Sequence, residues 1–236
     1  GDNVVERSPN MPWYEGSSLL HHLEEVHIAS DRNLIDCRFP VQYVVRPRDD
    51  RYHDYRGYAG LVVSGTYKAG DEVVVLPSGF TSRIASIDTA DGPLDEATPP
   101  LSVTIRLADE LDVSRGDMIC RPNNRPTVGQ DIDAMLCWFG DHTKLQAGGK
   151  YAIKHTSRWA RALVKDLQYR LDVNTLHRDE DATTLTLNEI GRVTMRTTLP
   201  LFYDDYRRNR GTGSFILVDE SSNDTIAAGM ILGAAQ

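Results

Sequence analysis

No apolar stretch in these 236 residues approaches the roughly 18 that a membrane-crossing helix requires, which sets a helical membrane protein aside. Cysteine is scarce. Cys37, Cys120 and Cys137 are odd in number, far apart and set among apolar neighbours. With no C-x-x-C pair and no close histidine, they point away from a metal site and towards reduced, buried thiols of a cytoplasmic protein. Positive charge is also short: 26 Lys and Arg face 34 Asp and Glu, a net charge of -8. The mean field of such a chain repels phosphates, so nucleic acid is not expected as a partner. Gly1-Asp2-Asn3 carries neither an initiator Met nor a basic-then-apolar leader, and a chain excised from something longer is expected.

Catalytic signatures are missing too. Gly65-Thr-Tyr-Lys-Ala-Gly70 has the G-x-x-x-x-G spacing of a phosphate loop, but Asp71 and Glu72 follow where that loop needs Lys and Ser or Thr. Two carboxylates there would repel phosphate, and the segment reads as a hairpin turn. Gly149-Lys150 is followed by Tyr151 and has no upstream glycine at the required place. Asp54-Tyr-Arg-Gly57 fits the short D-x-x-G pattern of GTPases, which arises readily by chance, and no Asn-Lys-x-Asp base-reading motif accompanies it. His21, His22 and His27 stand at i, i+1 and i, i+6, not at the i, i+3 or i, i+4 spacing of helical metal ligands. No G-x-S-x-G elbow is present. The expectation is a chain with no catalytic, cofactor-binding or metal-binding residues of its own.

What is present is a change of period. Ser17 or Ser18 can cap a helix in which Leu19, Leu20, Leu23 and Val26 form one apolar face, with Glu24 and Glu25 on the wet side. That face is expected to pack on a barrel or on another molecule, since an open stripe would leave an apolar patch. From about Asp36 the period becomes two. Leu101 to Leu107 alternates without a break, Glu72 to Leu76 is a short β-branched run, and Gly60 to Val63 reads as the strand before it. Ile132, Ala134, Leu136 and Trp138 alternate again, as do Leu185 and Leu187 beside Thr184 and Thr186. Phe215 to Val218 and Ile226 to Leu232 are apolar runs around a polar turn at 219–224. Residues 160–173 fit both periods, and the β-rich surroundings favour a strand. Pro122 to Pro126 is the clearest internal boundary. Many short strands with frequent turns indicate a mainly β fold, with two parts of barrel size at 36–122 and 127–236 after a helix and linker at 1–35.

The most unusual stretch is Phe202 to Gly213, with three aromatics and three arginines in an otherwise acidic chain. Tyr203, Tyr206, Arg207, Arg208 and Arg210 are the candidate partner interface, because arginine forks bind carboxylates and stack on tyrosine, and both types are enriched at interfaces. The plainer reading is a solvated loop whose arginines pair with Asp204 and Asp205.

Several segments carry a family resemblance. Arg56-Gly-Tyr-Ala-Gly60, Val63-Ser-Gly65 and Lys68-Ala-Gly-Asp-Glu-Val73 resemble the second-domain signature of translational GTPases, the elongation factor Tu family. Gly211 to Asp219 with Asp224 to Ile231 is similar to the closing hairpin of that family's third domain. Gly1 to Tyr14, Leu101 to Ile119, Leu187 to Arg192 and Asp204 to Gly213 resemble the large GTPase subunit of bacterial sulfate adenylyltransferases. The resemblance implies two consecutive elongation-factor-Tu-like β-barrels preceded by one amphipathic helix, the last of a GTP-binding domain that is missing from these residues. It implies GTP and Mg2+ in that missing domain, a catalytic small subunit as partner, and an adenylylsulfate kinase either fused or associated. The activity implied is synthesis of adenosine 5'-phosphosulfate and pyrophosphate from ATP and sulfate, coupled to GTP hydrolysis, with these residues non-catalytic alone. The alternative is the tRNA-binding barrels of a translation elongation factor, which should show a basic stripe.

Overall fold

The computed structural model describes residues 1–26, 33–47 and 55–235. The chain divides into two units, residues 1–32 and 33–236. In the first, the helix α1 (Leu19–Glu25) begins at Ser18, whose Oγ accepts from the His21 N–H. The N-terminal turn ties back onto the helix start: Leu19 N–H donates to Asn3 O and Leu20 N–H to Val4 O. None of the helix residues is buried, and Leu19, Leu20, Leu23 and Val26 remain 41–61% exposed. The packing expected for this stripe is therefore not supplied by the described residues. His21 and His22 are exposed on the same helix, and His27, like Asp54, lies outside the described residues.

The second unit is built from antiparallel strands. Six of them, β1 (Phe39–Val45), β2 (Gly57–Leu61), β3 (Glu72–Leu76), β4 (Thr81–Thr89), β5 (Ser102–Leu107) and β6 (Met118–Cys120), pair in the ring β3-β6-β1-β2-β5-β4. Pairing of β4 with β3 closes it. Six more, β7 (Thr127–Trp138), β8 (Lys150–His155), β9 (Arg158–Leu171), β10 (Ile190–Tyr203), β11 (Ser214–Val218) and β12 (Thr225–Ala234), pair in the ring β8-β11-β12-β7-β10-β9, closed by β9 on β8. Closure removes the exposed strand edges that an open sheet would offer.

Alternation sets the inside of each ring. In β7, Ile132, Ala134, Leu136 and Trp138 are all buried, and they meet Val164, Leu167, Val193, Met195, Phe215 and Leu217 in one core. Val73, Val75, Ile84, Ile87, Val103 and Ile105 fill the first barrel in the same way. The ambiguous segment is strand β9, and β-bulges explain its mixed period. The pairing with β10 shifts register between Val164 and Asp166 and again between Leu167 and Tyr169. Ala160, Ala162 and Val164 face the core at period two, and the next core residue is Leu167, three positions on. An extra residue in a strand produces the spacing of a helix. Leu185 is buried in a short strand at Thr184–Leu185, whereas Leu187 lies beyond it and is exposed. Gly65 to Gly70 leads through a turn into β3, with Asp71 Oδ2 accepting from the Lys68 N–H at 3.1 Å, but the turn is not the expected hairpin: β2 and β3 do not pair, and Tyr67–Lys68 pairs instead with Glu96–Ala97.

Candidate interaction surface and the junction that presents it

The two barrels meet through a network of polar groups, buried at Asp36, Arg38 and Asp204 and reaching the surface at Arg208. Asn33 begins it, its Oδ1 accepting from the N–H groups of Ile35 and Asp36, which fixes the chain as it enters the first barrel. The Asp36 carboxylate then accepts both arms of the Arg208 fork, at 2.8 and 2.6 Å. It also accepts from Asn33 Nδ2 at 2.7 Å and Asn124 Nδ2 at 2.8 Å. The Arg208 hydrogen bond outweighs partial burial and, with the two amides, holds Asp36 well below the usual carboxylate range.

Next to it stands a second fork. Arg38 Nε and Nη2 each donate at 2.8 Å to the two oxygens of Asp204, from a guanidinium with no exposed surface to a carboxylate 3% exposed. Arg38 Nη1 donates to the carbonyls of Cys37 and Asn124 and to Asn124 Oδ1. Asp204 Oδ2 also accepts from Thr212 Oγ1 at 2.7 Å. Desolvation by itself would lower the Arg38 pKa, but the bond to Asp204 and its charge prevail and raise it. A buried ion pair survives only when its remaining hydrogen-bonding capacity is met in this way. The network extends on both sides. Asn209 Nδ2 reaches Ser64 Oγ, which itself donates to Asp36 O. His155, buried at 1% exposure, places Nε2 2.7 Å from Thr212 O. A carbonyl only accepts, so Nε2 carries the proton, and burial pushes the imidazole pKa down.

An apolar patch completes the junction. Phe202 of β10 packs with Val74 and Leu76 of β3 and Met118 and Cys120 of β6. Arg158 caps the patch, its guanidinium 4.8 Å from the Phe202 ring centre and its Nη1 donating to Gly116 O. Burial pushes the Cys120 thiol up to about 12 and raises Cys37 as well, which leaves both unreactive. Cys137, partly buried, is the third free thiol.

Against this junction the expected interface residues separate into two groups. Tyr203 lies in the core of the second barrel at 1% exposure. Arg208 is engaged with Asp36. Tyr206 is half-buried at a groove edge, and Arg207 and Arg210 are exposed, with no ion-pair partner among the described residues. The expected pairing of the loop arginines with Asp204 does not occur: Asp204 is buried and holds Arg38 from 166 residues away. Nor is Asp204 on a wet surface. Sequence reading missed Asp36, Arg38 and Asn124, although Arg38 between Cys37 and Phe39 is a charge inside an apolar run, a signal of a buried pair.

Among the described residues no group of three or more His, Cys, Asp or Glu is arranged to hold a metal ion. The Gly65–Gly70 turn does not fit a nucleotide phosphate. A Cβ at Gly65 would stand 2.4 Å from Cys37 Cα, and the adjacent Asp71 carboxylate already takes the local N–H and Arg121.

Comparison with known proteins agrees with the barrels. Residues 131–232 match the family described as GTP-eEF1A C-terminal domain-like. The chain is 58% identical over 98% of its length to the bifunctional enzyme CysN/CysC of Mycobacterium tuberculosis, and covers 38% of that protein. It is 49% identical, again over 98% of its length, to sulfate adenylyltransferase subunit 1 of Bacteroides fragilis, covering 48% of it. The crystal structure of Sup35 complexed with GDP superposes with a TM-score of 0.76 at 19% identity, over 100% of this chain and 57% of that one, a likeness of fold. The chain thus spans about two fifths to half the length of these curated relatives.

Proposed function

We propose, for a chain that belongs to the sulfate adenylyltransferase subunit 1 family, that its two barrels are the accessory region of a GTPase subunit in sulfate assimilation. GTP and Mg2+ bind in a further domain, and a small catalytic subunit joins ATP and sulfate into adenosine 5'-phosphosulfate and pyrophosphate. That step is uphill, and GTP hydrolysis is coupled to it. The barrels act as a rigid relay that turns a local rearrangement at the nucleotide into displacement of the partner. The outward half of the arginine loop, Tyr206, Arg207 and Arg210, contacts the small subunit, while Tyr203 and Arg208 hold the loop in place. An adenylylsulfate kinase, fused or associated, belongs to the same assembly, and the cytoplasm is its setting. No described helix is long and apolar enough to cross a membrane. The alternative role in carrying tRNA finds no support in a net charge of -8.

The observation that carries the relay reading is the pair of forks, Arg38 on Asp204 and Arg208 on Asp36, which link one barrel to the other. The test uses the full-length subunit with its small partner. Arg38→Met should raise the number of GTP molecules hydrolysed per adenosine phosphosulfate formed. An unchanged ratio, in a variant whose junction shows faster hydrogen exchange at residues 202–212, would refute the relay. The present chain alone should release no phosphate from GTP, and measurable turnover would overturn the assignment of nucleotide chemistry to another domain.

A further inference from the structure

The outer face of the second barrel departs from the pattern its strands should follow. A sheet with one face in a core and one in water alternates apolar and polar residues. β11 and β12 instead read as continuous apolar runs, the pattern of strands covered on both faces. The inner face is covered: Phe215, Leu217, Ala227 and Ile231 lie in the core. The outer residues are only partly covered: Ile216 and Ala228 are half-buried, and Met230 and Leu232 are 40% and 39% exposed.

These outer residues fall in one line across five neighbouring strands. Lys154 pairs with Ile216, Ile216 with Ala228, Ala228 with Cys137, and Cys137 with Ile190. Small Ala228 at the middle keeps the floor low, and the surface is an open groove of about 610 Å³. Four gaps between strands at roughly 4.8 Å make an arc of about 19 Å along the barrel wall. Tyr206 and Gly211 of the arginine loop line the groove, as do Lys154 and Thr156. Arg207 and Arg210 stand in the same loop. None of Lys154, Arg207 and Arg210 has a carboxylate partner among the described residues. Lys154, which also lies over the Trp159 ring, lines the groove; with Arg207 and Arg210 in the adjoining loop it outnumbers the exposed Asp205 of that loop, and this positive balance in a chain of net charge -8 complements an acidic ligand with an apolar face.

From this we infer that the groove on the outer face of the second barrel seats an amphipathic helix of the small subunit, its apolar face on Ile216, Ala228 and Met230 and its acidic flank against Arg207 and Arg210. The inference rests on the functional reading above and gives that partner a chemistry and a place. A helix laid in an apolar groove draws affinity from such anchors, and flanking charges set its direction.

The full-length subunit provides the test. Cys137 lies in the groove and is partly accessible, whereas Cys37 and Cys120 are buried and serve as internal references. Maleimide labelling, resolved peptide by peptide by mass spectrometry, should modify Cys137 in the free subunit and slow several-fold once the small subunit is added. Protection already complete before that addition would assign the groove to another part of the same chain and overturn the inference. Titration calorimetry separates the remaining outcomes. Ala228→Arg, with an unchanged melting temperature, should weaken binding by about tenfold or more, as should Arg207→Glu with Arg210→Glu. Wild-type affinity in both variants would overturn the groove and leave the functional reading standing. Absence of any binding by the wild-type protein would refute both.

Discussion

At the scale of single residues, the junction depends on Arg38 and Asp204. Arg38→Met leaves a buried carboxylate without its cation and is expected to cost about 3–5 kcal/mol, read as a lower urea midpoint. Arg38→Met with Asp204→Leu should recover most of that loss, because replacing a whole buried pair by apolar groups is nearly neutral. A single and a double variant of equal stability would show that the pair is not the cause. His155 contributes a pH dependence. Its folded pKa lies below the ordinary 6.5, chiefly through burial and against the pull of Thr212 O and the Asp204 charge, with Arg158 acting in the same direction as burial. Its share of stability is therefore whole above pH 6.5 and declines as the pH falls from there through the folded value, because the unfolded chain takes the proton first. Urea midpoints should drop between pH 7.5 and pH 5.5, and His155→Gln should flatten that slope. None of these partners was legible in the sequence. Asp36 and Arg208 are 172 positions apart, and neither pattern nor spacing links them.

At the scale of elements, legibility followed the regularity of the strand. β5 and β7 alternate cleanly and were readable from the period of their apolar residues alone. β9 was not, because its bulges displace the core residues from one parity to the other between Val164 and Leu167. The end of β10 was misleading for another reason. Leu201, Phe202 and Tyr203 are all buried, since Tyr203 faces its own core while Phe202 faces the other barrel. A strand buried on both faces does not alternate, and only the arrangement of the barrels reveals the second face. Phe202→Ala should cost about 3–5 kcal/mol by leaving a cavity between Val74, Leu76 and Met118. Hydrogen exchange should then rise at 74–76 and 118–120 while the interior of β7 keeps its protection. Uniform acceleration in both places would mean that the residue supports the second barrel as a whole and not the seam.

At the scale of the molecule, residues 33–236 behave as one unit because polar forks and an apolar patch join rings that are each closed. That barrels were present was legible from strand spacing, turns and the family resemblance. Their mutual placement was not, since it depends on long-range contacts. The calorimetric trace of this unit should contain one cooperative transition, and Arg38→Met with Phe202→Ala should divide it into two. Two transitions in the wild-type protein would contradict the coupling.

The depth of the Arg38–Asp204 contact has a practical consequence for dissecting the assembly. Dissolved ions screen charges over about 8 Å in physiological buffer, but they act on groups that water reaches. Arg207 and Arg210 are open to the electrolyte, whereas the guanidinium of Arg38 has no exposed surface. Added potassium chloride should therefore weaken whatever Arg207 and Arg210 hold while leaving the Arg38–Asp204 contact intact, a dial that turns one contact and spares the other.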